Sequence, residues 1–515
     1  MNTTARFWWS PVVIVLAGAS LFGLTALALG SGIVDDTYIF LRYARNIVEG
    51  AGPVFNDGER VEGYSSPLWL VVLTVVTRLS GDPVRGAIAA SALCGILLVA
   101  AVGFWDRRQA PASGILAGLF LASNPSLVFW SFTGMDTALF TLWIVLAVLF
   151  FERDVTAERA PVVSGALLAA AAITRLDGVW VLPLMMALLA RSRGVTPRLT
   201  SQLAALLLPT VVVLGTHLLW RHSYYGSWLP NTFAAKVDVP RHVLLVHGAR
   251  YLAFAAITYA PALAAFTLGW RRHAFATAAA PAGRAVQHRL ETRVLTLSAI
   301  WLAIYALVAG GDHFALFRFL VPCIALLSVV AGRFAARMIA TGQLAPWLAA
   351  LIIIGSNAFV FVSPQSVAAR SEVQQARAWA DTGRWCADAL PPGSLASMVV
   401  GAIPFYCDRP TIDLLGLVDR HIATDGNVFT AAPPGHQKYD TDYVLGRRPT
   451  YIFFLSSGMP DEPLFRTVED RKRWLDAKGH ALEDLSTDPR TLQMYTYRAE
   501  RLANGKFVEF LELRR

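Results

Sequence analysis

The run from Pro11 to Gly30 (PVVIVLAGASLFGLTALALG) is apolar throughout, and Asp35-Asp36-Thr37-Tyr38 follows it almost at once. A run of that length suffices to cross a hydrocarbon core about 30 Å thick. It lacks a small-x-small cleavage site with a soluble mature segment behind it, so it reads as a retained helix rather than a signal peptide. Working outward, comparable runs recur near 86–104, 113–130, 137–151, 161–174, 178–190, 202–220, 251–269, 294–310, 318–336 and 345–362. Only 16% of the 515 residues are charged, against about 25% in soluble chains. An ordinary globular enzyme is excluded, and a polytopic α-helical membrane protein is expected.

The net charge of +9 is distributed in a telling way. Arg107-Arg108, Arg191, Arg193, Arg198, Arg271-Arg272, Arg284, Arg289, Arg293, Arg333 and Arg337 all lie in or beside short connections between apolar runs. That is the bias of cytoplasmic loops, and nucleic acid is not an expected partner. One further apolar stretch, Pro67 to Leu79, is short and follows the turn-forming Gly63-Tyr64-Ser65-Ser66. If it crossed the membrane, every later basic cluster would fall outside. Read instead as interfacial or re-entrant, it leaves about eleven spans, with the N-terminus cytoplasmic and the C-terminus extracytoplasmic. This topology gathers Asp35, Asp36, Glu62, Asp136, Asp177, the stretch Tyr224 to Lys236, Asp312, His313 and Arg318 on the outer side. Ionisable residues at membrane depth are costly and mark function.

From about Ser363 the charge content becomes ordinary. Leu395–Val400, Thr411–Leu415 and Tyr451–Leu455 read as buried strands, and Ser371–Leu390 as a helix. Residues 1–362 are therefore assigned to a membrane domain, with 31–85 as its first outer loop, and 363–515 to a soluble extracytoplasmic α/β domain. Cys94 and Cys323 read as small apolar residues, whereas Cys386 and Cys407 are a candidate disulfide in an oxidising compartment. With no CxxC and no paired histidines, a metal site is not expected, and no cofactor is indicated.

The adjacent carboxylates Asp35 and Asp36 repel each other, so they need a reason to persist. General-base chemistry and cation coordination are two such reasons, and capping of a helix N-terminus is the bland alternative. Arg42 and Arg45, just downstream, are placed to meet a phosphate. Asn56-Asp57-Gly58 reads as a turn only. Glu62, Tyr64 and Trp69 join a carboxylate to aromatic faces, which suits a sugar. An interfacial aromatic belt explains Trp69 better. Asp177 reads as the partner of Arg175 or as a cap.

An Asp-Asp after the first span, followed by Phe55-Asn56-Asp57-Gly58-Glu59-Arg60-Val61-Glu62-Gly63-Tyr64, resembles the GT-C superfamily of polyprenyl-phosphate-sugar-dependent glycosyltransferases. Thr133-Gly134-Met135-Asp136, Thr174-Arg175-Leu176-Asp177-Gly178, Tyr224-Tyr225-Gly226, Pro230-Asn231-Thr232-Phe233, Gly310-Gly311-Asp312-His313-Phe314 and Arg318-Phe319-Leu320-Val321-Pro322 match in order. Asp413-Leu414-Leu415-Gly416-Leu417 and Gly435-His436-Gln437-Lys438 extend the likeness into the tail. Within the superfamily the sequence is most similar to cell-wall terminal arabinofuranosyltransferases. The resemblance implies transfer of a sugar, with arabinofuranose the first candidate, from a polyprenyl-phosphate donor to an envelope glycan, glycolipid or protein acceptor outside the plasma membrane. Asp35 or Asp36 would be the catalytic carboxylate. Arg42, Lys236 and Arg318 would meet the donor phosphate, and Glu62, Tyr64, Asp136, Asn231, Asp312 and His313 the sugar or acceptor. A divalent cation is compatible with the carboxylate pair but not indicated. A transporter or flippase for lipid-linked sugars, or a non-catalytic binding protein, is the alternative. The absence of an internal repeat weighs against transport.

Overall fold

The computed structural model describes residues 11–105, 111–194, 196–236, 240–268, 282–429, 436–453, 483–502 and 504–514. Arg107-Arg108, Arg271-Arg272, Gly435 and the last two residues of the expected Tyr451–Leu455 strand lie outside them. The chain forms two compact units, each assembled from separate stretches. One comprises Met1–Gly32, Ile88–His217 and Arg241–Arg370, and the other Ile33–Ala87, Leu218–Pro240 and Ser371–Arg515. The sequence reading placed 31–85 with the membrane domain. In the structure most of that loop, and residues 218–240, belong with the tail.

The first unit is helical. Among the described residues, Pro83–Trp105, Pro197–Tyr225 and Arg318–Ala340 are long and apolar enough to cross a membrane. Three bent pairs, including Ala112–Ala122 with Pro125–Ser131 at 65°, bring the total to six if each is one span. Shorter apolar helices such as Val162–Thr174 and Thr292–Val308 accompany them. By length and composition, and among the described residues, this falls short of the eleven expected spans. The shortfall lies in expected spans that form shorter helices, such as Val162–Thr174 with 13 residues, and one further run is bent at Asn124-Pro125. The asparagine side chain caps a new helix by accepting from the Leu127 N–H at 3.1 Å, so one apolar run becomes two bent segments. Small residues bring the helices close, as they do where lipid supplies no hydrophobic drive between them. A Cβ on Gly114 would lie 2.3 Å from the Gly103 carbonyl oxygen, and one on Gly248 2.1 Å from that of Leu307. The basic residue Arg333 is paired with the buried Glu152.

The second unit carries the strands of the fold. In chain order these are β1 (Leu395–Ser397), β2 (Thr411–Asp413), β3 (Asn427–Val428), β4 (Lys438–Tyr439), β5 (Tyr451–Phe453), β6 (Tyr495–Arg501) and β7 (Phe507–Leu513). Five of them form one sheet in the order β2-β1-β5-β7-β6. The first three of that order are parallel, and β7 runs against both its neighbours. The short strands β3 and β4 pair as a separate antiparallel ribbon. Alternate strand residues serve opposite faces. Ala396, Ile412 and Ile452 therefore join one apolar cluster, whereas Leu395, Tyr451 and Phe453 join the other. The expected Ser371–Leu390 helix is the later part of a longer one, Pro364–Ala389, and the strands fall where the sequence placed them, within the described residues.

Candidate active site

In the second unit the Asp35–Glu49 helix begins directly after the extended residue Val34. It ends at Gly50, whose φ of 92° is the left-handed conformation that suits glycine. Thr37 to Ala44 are buried. Asp35 and Asp36 occupy the first turn, where negative charge favours the helix dipole. The Asp35 carboxylate does more than that. The Gly401 N–H donates to its Oδ2 at 3.1 Å and the Ala402 N–H to its Oδ1 at 2.7 Å. Those two N–H groups open the short Ala402–Cys407 helix, so Asp35 caps a helix far along the chain. Burial pushes the Asp35 carboxyl up to about 7, and the neighbouring Asp36 charge adds to the rise, against the two N–H bonds that favour the charged form. Both aspartates remain partly accessible.

The other polar residues of the motif hold main chain. Arg42 is buried, lies over the Phe55 ring at 4.5 Å, and donates to the carbonyls of Phe55 (2.9 Å), Pro404 and Arg409 (2.8 Å). Its fork is committed to peptide groups, where a phosphate was expected. Arg45 likewise donates to the Phe405 carbonyl at 3.0 Å and pairs with Asp408. Asn56 is no mere turn residue. Its Nδ2 donates to the Thr411 carbonyl at 2.9 Å, and its Oδ1 accepts from the Thr411 N–H at 3.0 Å. Asn231 donates to the carbonyls of Gly416 (2.8 Å) and Leu417 (3.0 Å), where contact with a sugar was expected. Glu62 is buried against Arg221 at 2.6 Å, and Tyr64 is buried with its hydroxyl 3.1 Å from that of Tyr225. Both are engaged with protein rather than turned out toward a sugar. Trp69 is fully buried. Lys236 is exposed just beyond the Asn231–Ala234 helix. Cys386 and Cys407 are joined, with Cα atoms 5.3 Å apart.

The first unit holds a separate ionic cluster. Asp136 precedes the Thr137–Thr156 helix, and Arg175 follows Val162–Thr174. Arg175 reaches Asp177 at 3.1 Å and Asp136 at 3.8 Å. After Gly310 and Gly311, Asp312 takes Arg318 at 2.7 Å, and the exposed His313 lies 3.6 Å from the same carboxylate. The Phe319 ring centre is 5.4 Å from the Arg175 guanidinium and 5.7 Å from that of Arg318. The structure thus groups Asp136 with Asp177, and Asp312 with His313 and Arg318. Among the described residues no group of three or more His, Cys, Asp or Glu is arranged to hold a metal ion.

Sequence reasoning missed Arg221 and Gly401 and gave Asn56 too small a part. Arg221 had a signal, a lone arginine at the end of an apolar run. The other two had none, because what they meet is main chain or a residue remote in sequence.

Residues 365–501 match a family described as a domain of unknown function (DUF8728). The chain is 26% identical over 242 residues to a terminal beta-(1->2)-arabinofuranosyltransferase of Corynebacterium glutamicum, covering 42% of this chain and 35% of that protein. It is 46% identical over 65 residues to the Mycobacterium tuberculosis protein of the same name, covering 13% and 10%. The matches therefore span about a third or less of these relatives. ArnT from Cupriavidus metallidurans bound to undecaprenyl phosphate superposes with a TM-score of 0.61 at 15% identity, covering 99% of this chain and 98% of that one. The apo state of the same protein gives 0.60. The chain is thus a polytopic helical membrane protein that shares the fold of ArnT over nearly its whole length, and is similar over part of its sequence to terminal arabinofuranosyltransferases.

Proposed function

We propose that this chain is a membrane glycosyltransferase that moves a sugar from a polyprenyl-phosphate donor to an acceptor hydroxyl, with Asp35 as general base. The observation that carries the reading is the Asp35 carboxyl itself. It is partly buried, oriented at both oxygens, and raised to about 7, which matches what a base needs at neutral pH. In the step, the acceptor hydroxyl gives its proton to Asp35 as its oxygen bonds to the anomeric carbon. The bond from that carbon to the phosphate oxygen breaks, and its electron pair leaves on the polyprenyl phosphate. The charge that develops there calls for a cation. Lys236, which belongs to the same unit as Asp35, is assigned that role.

The bound undecaprenyl phosphate in the ArnT structure supports a lipid-linked donor, and the names of the sequence relatives favour arabinofuranose. A cell-envelope acceptor outside the plasma membrane, with a cytoplasmic N-terminus, completes the proposal. The test is transfer from a panel of synthetic polyprenyl-phosphate sugars by the wild type, Asp35→Asn and Asp36→Asn. Transfer by the wild type that is lost in Asp35→Asn supports the assignment. Loss in Asp36→Asn alone moves the base by one residue. Donor binding without transfer to any acceptor would favour transport or simple binding.

A further inference from the structure

We propose that the 371–515 part of the second unit is a positioning module for Asp35, with Gly401 as the residue that lets it close on the carboxylate. This role rests on the one given to Asp35 above, and it assigns a task to most of the stretch that matches the family model.

Both Asp35 oxygens are taken by consecutive peptide N–H groups 366 and 367 positions away in sequence. Two such bonds fix the carboxylate plane, as a single bond would not. Gly401 is needed for closeness rather than for an unusual turn, since its φ is −89°. A Cβ there would lie 2.1 Å from the Asp35 carbonyl oxygen, 2.5 Å from its Cγ and 2.6 Å from Oδ1. The nearest of these atoms is main chain, so no rotamer change relieves the overlap.

The Ala402–Cys407 helix that begins there has six residues and could not persist alone. It is fixed from several directions. Arg42 donates to the Pro404 carbonyl, and Arg45 to that of Phe405 at 3.0 Å. Tyr38 packs on Phe405 and Tyr406 with ring centres 5.4 and 5.6 Å away. Cys407 is bonded to Cys386. Tyr38, Arg42 and Arg45 all belong to the helix that bears Asp35. The element that holds the carboxylate is thus held in turn by the carboxylate's own helix, a closed arrangement that a simple helix cap does not require.

The experiment uses the full-length chain carrying Gly401→Ala or, as a milder change, lactic acid in place of Ala402, introduced by nonsense suppression. The resulting ester removes the one N–H at the first helical position and adds no atom there. The readouts are kcat and KM for donor, the pH–rate profile, and the pH dependence of carbodiimide labelling at Asp35 read by mass spectrometry. Gly401→Ala should lower kcat by about 10²-fold with little change in KM. By pushing the module off and admitting water, it should also move the profile and the labelling midpoint downward. The ester at 402 keeps the burial and loses a bond to the charged form, so it should move both upward. It decides the matter if Gly401→Ala does not fold. Folded variants that keep the wild-type labelling midpoint and pH profile overturn the proposal, even if kcat falls. If the wild type transfers no sugar from any donor, the assigned function fails, and the labelling still decides whether Gly401 positions Asp35.

Discussion

The two polar centres of this molecule are built on opposite plans. Around Asp35, apart from the Arg45–Asp408 and Glu62–Arg221 pairs, side chains mostly hold main chain: Arg42, Asn56 and Asn231 grip carbonyls, and Asp35 accepts peptide N–H groups. In the other unit, side chains hold side chains, with Arg175 on Asp177 and Arg318 on Asp312. A residue that grips main chain fixes a position whatever side chain the partner carries. An ion pair is reciprocal, and losing either member strands the other. The first plan suits a carboxylate that must stay put, and the second keeps buried charges neutralised.

The largest effect that could break this contrast is chemical. Asp35→Asn should reduce transfer by about 10²–10⁴-fold, well beyond its effect on the thermal unfolding midpoint. A variant that loses both in proportion would make Asp35 a cap and no more. Next, Asp312→Asn and Arg318→Met should each cost about 3–5 kcal/mol, and the double variant should cost clearly less than their sum in denaturant unfolding. Additive losses would remove the reciprocity claimed for that centre. Third, replacing Cys386 and Cys407 together by serine frees a loop with a sequence separation of 21. It should destabilise the tail by about 3 kcal/mol, visible as earlier proteolysis of residues 371–515.

The pH dependence is the sharpest in sign. A carboxyl whose folded-state value lies above its unfolded one holds its proton more tightly when folded. Its contribution to stability is complete below the unfolded value and is lost as pH rises to and through the folded-state value. Asp35 and Asp413 are both raised from 3.8 to about 7 by burial. The thermal midpoint should therefore fall as pH climbs from about 4 to about 7 and level off above that. Over the upper part of the same interval kcat/KM should rise as Asp35 ionises. Asp35→Asn should remove its share of the stability slope and leave that of Asp413.

Much of the fold was legible because it depends on side-chain chemistry spread over long windows. The apolar runs, the short buried strands at Leu395 and Thr411, the Cys386–Cys407 pair and the Arg175–Asp177 partnership all follow from it. The span count was less so, since an apolar run such as 161–174 shows its hydropathy but not how short its helix will be, and a bend such as that at Asn124-Pro125 depends on one cap. The roles of Arg42, Asn56 and Asn231 were illegible for a different reason. Each has the chemistry of a ligand-binding residue, but its partner is a peptide group that every residue possesses. Glu62 could not be matched to Arg221 either, because they lie 159 positions apart and nothing local links them.

The separation between Asp35 and the Gly401–Ala402 peptide groups also has a consequence for synthesis. A ribosome has made Asp35 long before it reaches the residues that seat it, 366 positions later. Through most of translation and membrane insertion the aspartate has no holder, and the Ala402–Cys407 helix gains its covalent tie only once Cys407 meets Cys386. Maturation of the tail would then be the last step that switches the carboxylate on, and a nascent chain would stay inert beside the lipid-linked sugars it is proposed to consume.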